Sequence, residues 1–365
     1  VSIYSDQSIA IAGGGLLGRL LAWRLLRDGF AVTLYEVGAL SPSPAAAHTA
    51  AGMISPLSEA VVSDYSVYQM GMYALEQWPL WLAEFSDSKT ASSLFSRRGS
   101  LVIAHPQDTS ELQQFLQELR YVLPQTQGYR AVEQAEIQQL EPDLSPLFQQ
   151  GVLLEDEGHI HNRQLLDLLL SEIQQLGGVC VEHCPVQVKP HRIITAQGEM
   201  YYSLILDCRG TGAKPQQPEI RGVRGETLHV QTREVHLQRP VRLMHPRYQL
   251  YIVPKPDDRF IIGATQIESE DRSPASLQSS LELSSALYTL SPAFAEARIL
   301  EMGVNLRPAF MDNMPHVDAQ EGLISANGLF RHGFLLAPAV VTHVLALIAH
   351  KKELPFAALS APNVA

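Results

Sequence analysis

Cysteine is scarce in this sequence: 365 residues contain three, Cys180, Cys184 and Cys208. That is too few for a disulfide framework, and Cys180 and Cys184 lack the second ligand pair of a structural zinc site. They read as ordinary small thiols in a reducing, cytoplasmic setting. Long apolar runs are missing too. No stretch reaches the ~18 consecutive apolar residues of a membrane-spanning helix. Gly13, Gly14 and Gly15 interrupt the first apolar segment, so no secretory leader is expected. Positive charge is in deficit, with 27 Lys and Arg against 38 Asp and Glu and a net charge of −11. Without a basic surplus there are few counterions to displace from a phosphate backbone, which argues against nucleic-acid binding. No low-complexity tract, heptad or internal repeat occurs. What remains is an ordinary globular composition, 46% hydrophobic and 18% charged, in a length that fits two domains.

The most informative local signal is SIAIAGGGLLGRLLAWRLLRDGFAVTLYE, residues 8–36. Residues 9–12 predict a buried strand, Leu16–Arg27 a helix stopped by Asp28 and Gly29, and Ala31–Tyr35 a second strand. Between the first two lies Gly13-Gly14-Gly15-Leu16-Leu17-Gly18, which fits G-x-G-x-x-G. Gly13 makes the turn, Gly15 lets backbone amides approach a pyrophosphate, and Gly18 lets helix and strand pack closely. The helix N-terminus supplies positive potential to the phosphates. Glu36 ends the second strand, where an acid accepts hydrogen bonds from ribose hydroxyls. Strand, glycines, helix, strand and acid in this order predict a dinucleotide site, without choosing between nicotinamide and flavin.

The following segment chooses. SPSPAAAHTAAGMISP, residues 41–56, removes side-chain bulk where a backbone must lie against a flat ligand. Here the sequence resembles the D-amino-acid-oxidase superfamily of flavoenzymes, and within it the glycine oxidases of thiamin synthesis, whose corresponding loop ends in Ala-Ala-Gly-Met. The resemblance implies FAD, with Thr49, Ala51, Gly52 and Met53 along the flavin. Relatives that attach flavin covalently carry a His where Thr49 stands, or a Cys near the chain end, so the cofactor is expected to be non-covalent. The likeness extends along nearly the whole chain. GGVCVEHCPVQVKP reads as a strand pair, with the Val186 backbone facing the adenine. LILDCRGTGA, residues 204–213, resembles the turn by which the chain leaves the FAD domain, and Arg209, a departure there, reads as structural.

The expected fold is α/β, a Rossmann-like FAD-binding domain with an α+β substrate domain built on an antiparallel sheet. Residues 1–80, 150–215 and 303–365 are assigned to the first, and 81–149 and 216–302 to the second. Alternating apolar residues predict the sheet, Pro254 to Asp258 a hairpin connection, and Thr109–Val122 and Leu277–Leu290 helices. Another helix is expected from Pro292.

Three residues carry the expected substrate chemistry. Arg307 sits in an otherwise apolar strand before Pro308, and a buried guanidinium needs a carboxylate. Asp312 or Glu301 could serve as an internal partner. The resemblance favours a ligand, because this Leu-Arg-Pro matches the place where amino-acid oxidases fork the substrate carboxylate. Tyr251 begins YIVP, where glycine oxidases place a Tyr on that carboxylate, and Arg331 would complete the site. Tyr248 and Tyr202 read as packing residues, and His245 equally as pocket rim or surface. In FRHGFLLAPA, Phe330, His332, Gly333, Phe334 and Leu335 are expected at the flavin, with Gly333 allowing close approach and a helix starting near Ala337-Pro338. No carboxylate–histidine pair stands out, so positioning is expected to supply most of the catalysis.

The resemblance implies oxidative deamination of glycine or a similar small amino acid, with hydride passing to the flavin and O2 reduced to H2O2. It also implies a cytoplasmic homo-oligomer, a tetramer. Sarcosine, a larger D-amino acid, a quinone acceptor and a non-catalytic FAD protein remain as alternatives.

Overall fold

The computed structural model describes residues 8–125, 127–244 and 250–360. His245 and Tyr248 lie outside them. The first strand, Ser8–Ala12, is buried on both faces and forms the middle of a six-stranded sheet. The order is His316–Gln320, Leu323–Asn327, Leu204–Asp207, Ser8–Ala12, Ala31–Tyr35 and Val179–Val181. All neighbours are parallel except the first pair. Such a sheet needs cover on both faces. The Leu16–Arg27 helix covers part of it, with Leu20, Leu21, Trp23 and Leu25 fully buried. Each such side chain contributes roughly 2 kcal/mol on burial. The helix packs against Asn162–Gln175 and the final helix, Gly333–Ile348.

A second, eight-stranded sheet runs Arg298–Ala309, Arg221–Gln231, Arg259–Gly263, Leu250–Lys255, Val241–Met244, Ser100–Ala104, Gln150–Leu154 and Tyr129–Glu133. It is antiparallel except where Val241–Met244 meets Ser100–Ala104. Leu277–Leu290 and Thr109–Val122 form helices with the bounds read from the sequence, and they bury apolar residues in two clusters beside this sheet. The expected hairpin forms, with Asp257 and Asp258 at φ 61° and 56° in its tight turn. Pro292 starts a short 3-10 turn, Pro292–Glu296, and not a full helix.

Two further expectations need correction. The segment read as a strand pair divides: Val179–Val181 extends the six-stranded sheet, while Gln187–Lys189 opens a separate three-stranded one. His183, at φ 52°, redirects the chain between them, and Pro185 has no amide to donate. The final helix starts at Gly333, four residues before Ala337, and Pro338 lies inside it. Proline leaves the carbonyl four residues back without its helical donor. That carbonyl belongs to Phe334, and Trp78 Nε1 donates to it at 2.9 Å.

Candidate active site

A cavity of about 980 Å3 runs between the two sheets. At one end lie Gly13, Gly15, Leu16, Leu17 and Glu36. Gly15 precedes the first helix with no side chain capping it, so the first-turn amides of that helix remain as donors. Gly18 does not line the cavity. A Cβ there would overlap the Gly13 carbonyl, which is the close packing its place in the motif implies. Arg19 is buried beside it and donates to the carbonyls of Gly14, Leu166 and Leu40 at 2.7, 2.6 and 2.5 Å, fixing the loop from behind. Glu36 accepts from the Gly14 and Gly38 amides at 2.6 and 3.1 Å.

The middle of the cavity is walled by Thr49, Ala51, Gly52 and Met53. Gly52 adopts φ 73°, and a Cβ on it would collide with the Ile160 carbonyl. Lys255 is half-buried behind this wall and donates to the carbonyls of Ala51 at 2.6 Å and Ile160 at 2.9 Å. Burial, with Arg163 nearby, pulls its ammonium down to about 7. His48 is not among the lining residues. Val186 is also away from the cavity wall, and its carbonyl accepts from Arg209 at 3.0 Å. Arg209 lines the cavity but is paired with Asp207 at 2.6 Å.

The far end brings together Tyr251, Arg307, Phe330 and Arg331 with His332, Gly333, Phe334 and Leu335. Among the described residues no acid pairs with Arg307. One of its terminal nitrogens donates to the Thr265 carbonyl at 3.0 Å and the Arg224 carbonyl at 3.4 Å. The two internal acids read as alternatives are engaged elsewhere: Glu301 with Arg163 at 2.8 Å, and Asp312 with His316 at 2.9 Å. Burial lowers the Arg307 guanidinium from its ordinary value, and the same effect raises the Tyr251 phenol. Both shifts reflect polar groups withdrawn from water. Two glycines make room: a Cβ at Gly225 would overlap the Arg307 guanidinium, and one at Gly263 would come within 2.9 Å of the Tyr251 hydroxyl.

Arg331 has a protein partner. It donates to Glu59 at 2.7 Å, and His332 Nε2 meets the same Glu59 oxygen at 2.8 Å. This carboxylate–histidine pair was not anticipated from the sequence. Burial alone would push the Glu59 carboxyl up, but His332, Arg331 and Arg242 together hold it well below the usual range. Arg242 lies 3.9 Å from Glu59 and also faces Glu157, whose carboxyl burial raises. The signal for both missed residues was a lone charge in an apolar setting: Glu59 in ISPLSEA and Arg242 in PVRLM. Gly333 begins the final helix, and open space surrounds the position a Cβ would take. Phe330, held at φ 48°, turns the chain into it.

Known proteins give this cavity its context. Residues 8–346 match the family model described as DAO, FAD dependent oxidoreductase. The chain belongs to that family. It is 37% identical over 336 residues to the "Putative thiamine biosynthesis oxidoreductase ThiO" of Rhizobium etli, covering 92% of this chain and 94% of the relative. It is 22% identical to the glycine oxidase of Bacillus subtilis, with coverage of 94% and 93%. The crystal structure of glycine oxidase from Geobacillus kaustophilus superposes with a TM-score of 0.82 over 98% of this chain and 99% of that one, at 21% identity.

This FAD-dependent oxidoreductase has a residue set that fits its cofactor. Uncapped helix amides and a glycine cradle answer a pyrophosphate. Glu36 stands where a ribose is expected. The small-residue wall and the uncapped N-terminus of the final helix, headed by Gly333, would suit a flat ring. Among the described residues no helix is long and apolar enough to cross a membrane.

Proposed function

We propose that the enzyme oxidises glycine, or an amino acid nearly as small, to its imine, with O2 as acceptor giving H2O2. The names of its relatives, a thiamine biosynthesis oxidoreductase and a glycine oxidase, support such a reaction, and the imine would serve thiazole formation. The observation that carries the reading is Arg307, a half-buried cation held by carbonyls alone in the wall of the cavity. It needs an anion, and a substrate carboxylate supplies one.

FAD, when bound, supplies the two-electron oxidation of the substrate's Cα–N unit. The protein does the rest. Arg307 receives the carboxylate and the Tyr251 hydroxyl donates to it, which fixes the Cα. Arg331, neutralised by Glu59, adds little net charge, so the cationic potential centres on Arg307. Holding the carboxylate of a small substrate in one place against a fixed ring is the main source of rate. Thr49 occupies the position of covalent attachment in some relatives and His48 does not line the cavity, both of which support non-covalent FAD. Unpaired Cys180, Cys184 and Cys208 suit a reducing cytoplasm. Exposed Leu277, Leu281 and Ile299 suit an assembly of several copies.

Anaerobic addition of amines to the yellow, FAD-loaded protein tests the reading. Bleaching by glycine in preference to sarcosine and D-alanine supports it. Bleaching only by a larger amine moves the substrate to another member of the family, and no bleaching by any amine overturns the enzymatic reading.

A further inference from the structure

We propose that Arg224 and Glu226 are positioning residues for the carboxylate clamp. They lock residues 264–276 into a strap that orients Arg307, an inference that rests on the amino-acid-oxidase reading above.

Arg224 and Glu226 are buried, at 4% and 0% exposure, and neither lines the cavity. The Arg224 guanidinium uses its donors on one acid and one chain segment. Its Nε donates to Glu226 at 2.7 Å, and its terminal nitrogens to the carbonyls of Asp271 at 2.8 Å, Ser273 at 2.9 Å and Pro274 at 2.9 Å. A planar fork can reach several acceptors at once, whereas a lysine ammonium is a single point. The backbone continues the fastening: the Arg224 and Ile267 amides and carbonyls exchange bonds of 2.9 and 3.0 Å, and the Glu226 amide donates to Thr265 Oγ1 at 3.0 Å.

Residues 264–276 carry almost no regular structure of their own, yet Thr265, Gln266, Ile267 and Arg272 line the cavity. Their other charged ties, Glu268 with Arg221 and Glu270 with Lys214, are exposed and worth little. The buried Arg224 fork is therefore the main anchor. Its consequence reaches the clamp directly, because the Thr265 carbonyl on the strap and the Arg224 carbonyl hold the same Arg307 nitrogen. Three consecutive residues divide the work. Arg224 and Glu226 fasten the strap, and Gly225 between them leaves the space that the Arg307 guanidinium occupies.

The test uses FAD-loaded wild type, Arg224→Lys and Glu226→Gln. Acetate, a carboxylate that cannot be oxidised, is titrated by its perturbation of the flavin spectrum. KM and kcat for glycine, the FAD-to-protein ratio and tryptic cleavage after Arg272 are measured alongside. In Arg224→Lys the acetate Kd and the glycine KM should rise about tenfold or more, with kcat within about threefold of wild type and FAD content unchanged. Cleavage after Arg272 should quicken. Glu226→Gln, nearly isosteric, should shift the same quantities by a smaller factor, and it carries the test if Arg224→Lys does not fold. A merely structural role would lower stability and FAD content while leaving acetate affinity alone. Unchanged acetate Kd in a folded variant overturns the proposal. A wild type that responds to neither acetate nor glycine overturns the amino-acid-oxidase reading, and this proposal with it.

Discussion

The two ends of the cavity are built from different materials. The cofactor end is mostly backbone: first-turn helix amides, a glycine turn and one acid, all within residues 13–36. The far end, proposed above to take the substrate, is mostly side-chain charge, brought from widely separated segments as Glu59, Arg242, Arg307 and Arg331. A backbone site is sensitive to volume, because any added Cβ occupies the ligand's or the helix's space. A charge site is sensitive to balance, because removing one partner leaves another uncompensated in a low-dielectric setting.

That contrast can be broken in order of expected effect. The largest belongs to Gly18→Val. Its side chain must displace the Gly13 carbonyl, so the purified variant should lose its flavin colour almost wholly, if it folds. Gly18→Ala sets a single methyl against the same carbonyl and should lose less colour; full retention there would deny that helix–turn packing sets the effect. Next comes Glu59→Gln. It leaves Arg331 and His332 without their acid, and breaking a buried pair costs about 3 kcal/mol. A thermal melt should show a drop of several degrees, and an unchanged Tm would show that the cluster is solvated.

A smaller effect follows from histidines. Burial pulls His161 and His229 down to about 4 in the folded chain, against about 6.5 when unfolded. Between those values the unfolded state binds protons that the folded state refuses, so stability falls as pH drops from about 6.5 to 4. Denaturant midpoints across that range should decline. Replacing both histidines with glutamine should flatten the part of the slope above the carboxylate range. The smallest is Trp78→Phe, which removes the donor to the Phe334 carbonyl inside the final helix and should cost about 1 kcal/mol.

The same contrast explains what the sequence revealed. The first strand, helix and second strand were legible because the glycines, the apolar periods and Glu36 lie within one short βαβ unit, where spacing has geometric meaning. The start of the final helix was misplaced because Pro338 reads as a first-turn residue, and the indole that tolerates it inside lies 260 positions away (338 − 78). Arg307 was legible as a lone charge in an apolar strand. Glu59 and Arg242 gave the same signal, but their meaning depends on a meeting in space that neither local segment specifies. Arg331 could not be told apart from Arg307 by pattern, although one is paired with an acid and the other is not.

The central claim concerns Arg307. Rapid anaerobic mixing of FAD-loaded wild type and Arg307→Ala with glycine gives the rate of flavin bleaching at each substrate concentration. With FAD content equal in the two proteins, the second-order bleaching constant should fall by a factor equivalent to about 2–4 kcal/mol in the variant. Equal constants in both proteins would contradict the account.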